Sequence, residues 1–138
     1  AVADGMVVAE FPTTVEAARL SREGGMKVVM GGPNLMRGGS HSGNISAGTL
    51  AAQGLLDIVS SDYVPVSLLE SAFRLARDIP DMDLPKAVHA VAQTPAEAVG
   101  LDDRGAIVAE RRADLLRVSL IEGQPVVRAV WREGRRIA

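Results

Sequence analysis

A strand–helix–strand pattern occupies residues 6–30, which read MVVAEFPTTVEAARLSREGGMKVVM. The short apolar runs at its two ends are typical of strands that are covered on both faces. Between them, Thr13 and Glu16 have the spacing of a capping box, and a Gly-Gly pair follows Glu23, so we predict a helix over 15–23. The helix–strand alternation continues with a weakly predicted helix at 46–53 and a strand at 56–60. Because parallel strands need long crossovers, the pattern predicts an α/β fold.

Three further helices and a β tail are predicted after the third strand. Ser67 and Glu70 form a second capping-box spacing, before an apolar stripe at positions 69, 72, 73 and 76. A helix over 84–92 follows, and Thr94 is the expected cap of another helix. From Gly105 the apolar period changes to two, which predicts short antiparallel strands over 113–120, 126–131 and 135–137.

The composition limits the possible functions. The chain has 138 residues, no Cys and a net charge of −2, so disulfides and thiol nucleophiles are excluded. Residues 1–103 carry a net charge of −6 and residues 104–138 one of +4, but the basic residues alternate with apolar ones as on a solvated strand face. We therefore expect no nucleic-acid partner. The apolar runs are too short to span a membrane and no secretion signal is visible, so we expect no membrane partner and a cytoplasmic location. The chain opens with Ala rather than Met, so we expect it to be part of something longer.

Residues 31–44 contain the most informative motif, GGPNLMRGGSHSGN. Five of the fourteen residues are glycines, which allow backbone N–H groups to approach anionic oxygens, and Arg37 offers a bidentate donor. We interpret the segment as a loop that binds phosphate or phosphonate oxygens. A flexible, solvated connection remains the alternative, because the spacing matches no standard phosphate-binding motif.

Asp62 follows the predicted strand at 56–60, at the end where parallel α/β folds bind their ligands. A carboxylate there can bind a metal or accept a proton, whereas the alternative is an Asp that caps the next turn. Tyr63, beside it, is a donor to a substrate oxygen or simply packs on the rim.

Three stretches together resemble the branch of the amidohydrolase superfamily that serves phosphonate metabolism. They are AEFPTT at 9–14, VMGGPN at 29–34 with RGGSHSGN at 37–44, and SSDYVP at 60–65. The tail, from TPAEAVGL at 94–101 to RADL at 112–115, resembles the end of many amidohydrolases, where the chain leaves the barrel for a small β-sandwich. Ala109-Glu110 stands where relatives often have Pro-Gly.

The resemblance implies the C-terminal part of a (β/α)8 amidohydrolase barrel (TIM barrel) over residues 1–103. Residues 104–138 would be a short antiparallel β tail that belongs to a small β-sandwich domain. It also implies a metal-dependent hydrolase that converts α-D-ribose 1-methylphosphonate 5-triphosphate to the 5-phosphate and pyrophosphate. Asp62 would then be both the catalytic residue and a metal ligand. The implied cofactor is a divalent ion, expected to be zinc, with most of its ligands outside these residues, so we expect the chain alone to be inactive.

The same resemblance implies a phosphorylated ribose phosphonate as the small-molecule substrate. Its expected contacts are Arg37, Ser40, His41, Ser42, Asn44 and Tyr63. An incomplete barrel would expose strand edges, so a homo-oligomer is expected. Two alternatives stay open: another amidohydrolase that acts on a cyclic amide C–N bond, and a non-catalytic anion-binding or assembly fragment.

Overall fold

A computed structural model describes residues 5–39 and 43–138, and strands alternate with helices over its first half. In chain order the elements are β1 Val8–Glu10, α1 Val15–Glu23, β2 Lys27–Gly31, α2 Gly32–Arg37, α3 Ala47–Ala52, β3 Ile58–Ser60, α4 Ser67–Asp78, α5 Leu84–Val91, α6 Gln93–Ala98, β4 Leu115–Ile121, β5 Gln124–Arg132 and β6 Arg135–Arg136. None of the helices in the described part combines the length and the apolar character needed to cross a bilayer.

The first three strands form a parallel sheet in the order β1-β2-β3, as the strand–helix rhythm predicts. The central strand is buried from Val28 to Gly31, which is what a strand covered on both faces requires. Val28 and Met30 join Val59 of β3 and Leu75 of α4 in one apolar core. Helices α2 and α5 pack against α4 beside this sheet.

The glycine-rich segment is not a loop throughout. Residues 32–37 form α2, with Pro33 in its first turn, and Gly38 ends it in the left-handed conformation at φ 77°. Proline is favoured at the start of a helix because its missing N–H is not needed there. The expectation of a loop over 31–44 is therefore wrong for residues 32–37.

Three predicted helix caps are also wrong by one or two residues. Thr14, not Thr13, caps α1, through a 3.1 Å bond from the Ala17 N–H to its hydroxyl oxygen. Ser67 lies inside α4, where its hydroxyl donates to the Val64 carbonyl at 2.6 Å. Thr94 lies inside α6, which starts at Gln93. A capping pattern in the sequence thus locates a helix start only to within a few residues.

The buried stripe of α4 is displaced from the predicted one. Its buried residues are Ser67, Ser71, Ala72 and Leu75, of which the predicted set contained Ala72 alone. Two serines face the interior because α2 comes very close at this point: a Cβ placed on Gly32 would lie 2.5 Å from the Ser67 Oγ. Small side chains are needed there whatever their polarity.

The tail folds as the predicted antiparallel sheet, β4-β5-β6. Glu122 and Gly123, both with positive φ, form the tight turn between β4 and β5, which suits the right-handed twist of a hairpin. Ala129 of β5 is 1% exposed, and β5 contacts α4. The described residues thus form two three-stranded sheets, which are not by themselves a closed barrel or a β-sandwich. The barrel, the sandwich and the division at residue 103 stay predictions.

Candidate functional site

Asp62 lies at the carboxyl edge of the parallel sheet, as predicted. It is the second residue after β3 and adopts a left-handed conformation at φ 50°. Its side chain is exposed, whereas Gly31, at the end of the neighbouring strand β2, is buried. An accessible carboxylate above the ends of parallel strands is well placed to meet a ligand.

Arg37 reaches the same edge from the end of α2. Its guanidinium carbon lies 5.7 Å from the centre of the Tyr63 ring, and its Nη2 donates a hydrogen bond to the Tyr63 hydroxyl. The contact joins the glycine-rich segment to the residue next to Asp62. The structure therefore brings a cation and a phenol hydroxyl together, and both can bind anionic oxygens.

A groove of about 310 Å³ lies between α2 and the start of α4. Its wall is mostly apolar, with Arg37 and Glu70 as the charged members. The lining residues are Pro33, Met36, Arg37, Tyr63, Val64, Val66, Ser67 and Glu70. Asp62 stands at the strand edge beside Tyr63 and is not part of the lining. The groove offers an apolar floor next to the polar pair formed by Arg37 and Tyr63.

A larger cavity, about 430 Å³, lies on the side of α2 that faces α3. Its arginine, Arg74, is engaged within the fold: Nη1 donates to the Met36 carbonyl at 2.8 Å and Nε pairs with Asp78 at 3.2 Å. These contacts complete the carboxyl end of α2. We therefore assign the cavity a structural role and place the candidate site at Asp62, Arg37 and Tyr63.

The other predicted substrate contacts either lie outside the described residues or are located only approximately relative to Asp62. Ser40, His41 and Ser42 lie outside the described residues. Asn44 is exposed, and the next residue, Ile45, donates its N–H to the Thr13 carbonyl at 3.0 Å. Thr13 follows β1, so Asn44 is held near the same edge of the sheet as Asp62. The roles given to all these residues remain predictions.

As a metal ligand, Asp62 fits in chemical type, since it is an accessible carboxylate. Within residues 5–39 and 43–138, however, no group of three His, Asp or Glu side chains is arranged to hold a metal ion. The described residues therefore contribute a single candidate ligand, and a metal would need others. Metal dependence and the identity of the ion stay predictions.

Two residues of this edge were missed by the sequence reasoning. Phe11 follows β1 and, like Asp62, adopts a left-handed conformation, at φ 52°. Gly31 ends β2 between them and was interpreted only as part of a loop. The available signal was that Phe11, Gly31 and Asp62 each stand at the end of a predicted parallel strand, and such ends meet at one edge.

Comparison with known proteins gives one relative of high identity. The chain is 53% identical over 134 residues to the α-D-ribose 1-methylphosphonate 5-triphosphate diphosphatase of Escherichia coli strain K12. The alignment covers 96% of the chain and 35% of that protein, so the chain spans about a third of the length of the relative that it matches. No protein-family model matches the chain. The resemblance to a phosphonate-metabolism enzyme predicted from the sequence is confirmed.

Proposed function

We propose that the protein to which this chain belongs is a hydrolase of phosphonate catabolism that releases pyrophosphate from α-D-ribose 1-methylphosphonate 5-triphosphate. The observation that carries the proposal is the 53% identity to the E. coli diphosphatase along 96% of the chain. In this reaction water adds to a phosphorus of the anhydride bond between the α- and β-phosphates. That bond breaks, and the 5-phosphate and pyrophosphate are the two products.

In this proposal Asp62 accepts the proton of the attacking water. Its exposed position at the carboxyl edge of the sheet supports the role, because a general base must reach its proton directly. Asp62 would also be one ligand of a divalent ion, expected to be zinc. Such an ion, when bound, lowers the pKa of water toward neutrality and offsets charge on phosphoryl oxygens.

The phosphate and phosphonate oxygens would be held by the polar side chains around Arg37. The contact of Arg37 with Tyr63 supports this assignment, because it ties the guanidinium to the residue that follows Asp62. Ser40, His41, Ser42 and Asn44 would add donors from the segment that follows α2. Asp62 would thus act at the reacting centre of the substrate, and Arg37 would bind its anionic groups.

The direct test replaces Asp62 by Asn in the intact protein and measures pyrophosphate release from the ribose triphosphate. Asn keeps the size of the side chain but cannot accept the proton, so turnover should fall by about 100-fold or more. Asp81→Asn is the matched control, because Asp81 is an exposed carboxylate in the connection between α4 and α5. The control should leave turnover unchanged. Equal turnover of the Asp62 variant and the wild type would overturn the role of Asp62.

The same assays separate the alternatives. Hydrolysis of a dihydropyrimidine or hydantoin, with none of the triphosphate, would select an amidohydrolase that acts on a C–N bond. No hydrolysis of either substrate, with pyrophosphate bound in calorimetry, would select a non-catalytic anion-binding module. We expect the isolated 138-residue chain to release no pyrophosphate, because its described part offers one candidate metal ligand. Light scattering would test the predicted homo-oligomer.

A further inference from the structure

The glycine at position 31 is not required by its own backbone conformation. Gly31 has φ −81° and ψ 139°, an extended geometry that any residue adopts. It is buried at the end of β2, where a larger residue would normally add apolar contacts. The reason for a glycine must therefore be the space around it.

That space is filled by the carboxylate of Asp62 and the ring of Phe11. A Cβ placed on Gly31 would lie 2.9 Å from Oδ2 of Asp62, 3.2 Å from its Cβ and 3.1 Å from Cε1 of Phe11. Real Cβ atoms essentially never approach other heavy atoms within 3.0 Å. The Asp62 side chain therefore rests directly on the Gly31 backbone, with the Phe11 ring beside it.

The residues that close this space are held in unfavourable conformations. Phe11 and Asp62 have φ of 52° and 50°, in the left-handed region, which is uncommon for non-glycine residues and less costly for Asp than for Phe. The Phe11 N–H bonds to the Val29 carbonyl of β2 at 3.0 Å, which fixes the chain after β1. Such conformations persist only where the surrounding structure holds them, and they cluster at functional sites. Here both of them turn their side chains toward the end of the central strand.

We propose that Gly31 is a positioning residue for the Asp62 carboxylate. Because Gly31 has no side chain, there is space for the Asp62 carboxylate at the carboxyl edge of the sheet. The Phe11 ring also borders this space. The effect of this positioning on turnover rests on the proposed function, whereas its effect on stability does not. The two consequences can therefore be tested separately.

The stability test is a double-mutant cycle between Gly31→Ala and Asp62→Gly in the intact protein. Alone, Gly31→Ala should lower the unfolding temperature, because the added methyl group meets the Asp62 side chain. In the Asp62→Gly background most of that loss should disappear, since two of the three close contacts are gone. Gly48→Ala is the matched control, because a Cβ on Gly48 meets nothing closer than 3.9 Å. Its effect should be the same in both backgrounds.

The activity test measures kcat and KM for pyrophosphate release. The methyl group must move the carboxylate by about half an ångström to reach ordinary contact, and a misplacement of about 1 Å costs on the order of 100-fold in rate. Gly31→Ala should therefore lower kcat by about tenfold and change KM little. Gly48→Ala should leave both unchanged. A purely structural glycine would lower the amount of folded enzyme without this fall in kcat per folded molecule.

Each outcome decides one of the two hypotheses. An equal loss of stability from Gly31→Ala in both backgrounds overturns the positioning role. Coupled stability with unchanged turnover in both Gly31→Ala and Asp62→Asn keeps the contact and rejects the proposed role of Asp62 in hydrolysis. If Gly31→Ala does not fold, folding of the double variant supports the inference and failure of the double variant contradicts it.

Discussion

The Arg37 guanidinium lies over the Tyr63 ring, with its carbon 5.7 Å from the ring centre, and donates a hydrogen bond to the Tyr63 hydroxyl. This contact joins two separate parts of the chain, the end of α2 and the segment between β3 and α4. It ties the guanidinium to the residue that follows Asp62 in the chain, and Tyr63 itself is 65% exposed. The ring therefore acts as a support for the cation.

We predict that Tyr63→Phe and Tyr63→Ala differ in their effects on substrate affinity. Phe keeps the ring under the guanidinium and loses only the hydrogen bond, whereas Ala loses both. An exposed cation–π contact contributes about 0.5–1 kcal/mol, which corresponds to a roughly two- to fivefold change. KM for the triphosphate should therefore rise more in the Ala variant than in the Phe variant. Equal KM values for the two variants would show that the ring does not support Arg37.

The guanidinium should also be irreplaceable by an ammonium. Arg37→Ala should abolish pyrophosphate binding measured by calorimetry, and Arg37→Lys should restore only part of it, because Lys cannot form a planar bidentate contact. The binding should weaken as the salt concentration rises. Arg77→Ala is the control, since Arg77 is an exposed arginine that pairs with Asp78 at 2.7 Å. Full binding by the Lys variant would show that Arg37 contributes only its positive charge.

Gly32 should be sensitive to the smallest enlargement. A Cβ there would lie 2.5 Å from the Ser67 Oγ and 2.9 Å from the Ser71 Oγ, so α2 and α4 would have to separate. We expect Gly32→Ala to lower the free energy of unfolding by about 1–3 kcal/mol. Gly48→Ala should leave it unchanged or raise it by up to about 1 kcal/mol, because Ala favours helix over Gly. Urea denaturation measures both variants, and equal values for them would contradict the close packing of α2 on α4.

Acid should remove the contribution of Asp114 to stability. The Glu133 N–H donates to its carboxylate at 2.8 Å, and Arg112 pairs with it at 2.7 Å, so the pKa of Asp114 is lowered from its ordinary value of 3.8. A lowered folded-state pKa stabilises the fold above the ordinary value and ceases to do so as the pH falls through the lowered one. Asp114→Ala should therefore reduce the unfolding temperature at pH 7 more than at pH 2. The exposed Asp102→Ala serves as control, and a pH-independent difference for Asp114→Ala would exclude this linkage.

The sequence predicted the strands and α1 well because their signals are local. The apolar runs around Val8, Val28 and Ile58 mark the three parallel strands, although β1 is only half-buried and not covered on both faces as expected. Helix α1 has the predicted bounds, Val15–Glu23. The β tail follows from its period of two. Position 62 at the end of a strand follows from the same reasoning, so the edge that carries the candidate site was predictable.

The errors occurred where tertiary contacts decide the outcome. Glycines in residues 31–39 indicated a loop, yet Gly31 and Gly32 are glycines because Asp62 and the α4 serines occupy the space of their side chains. Ser67 was interpreted as a helix cap and Ser71 lay outside the predicted apolar stripe, so Ala72 is the one buried residue of α4 that the stripe contained. No local rule distinguishes a glycine needed for a turn from one needed for a close approach.

The helical form of residues 32–37 has a consequence for ligand recognition. Arg37 is the last residue of α2, and the Met36 carbonyl beside it is bound by Arg74, so folding has already fixed the backbone that carries the guanidinium. Ordering a residue of a flexible segment costs about 1–2 kcal/mol. Binding of an anion to Arg37 therefore does not require this entropic cost. Residues 32–37 are preorganised and need not become ordered when the anion binds.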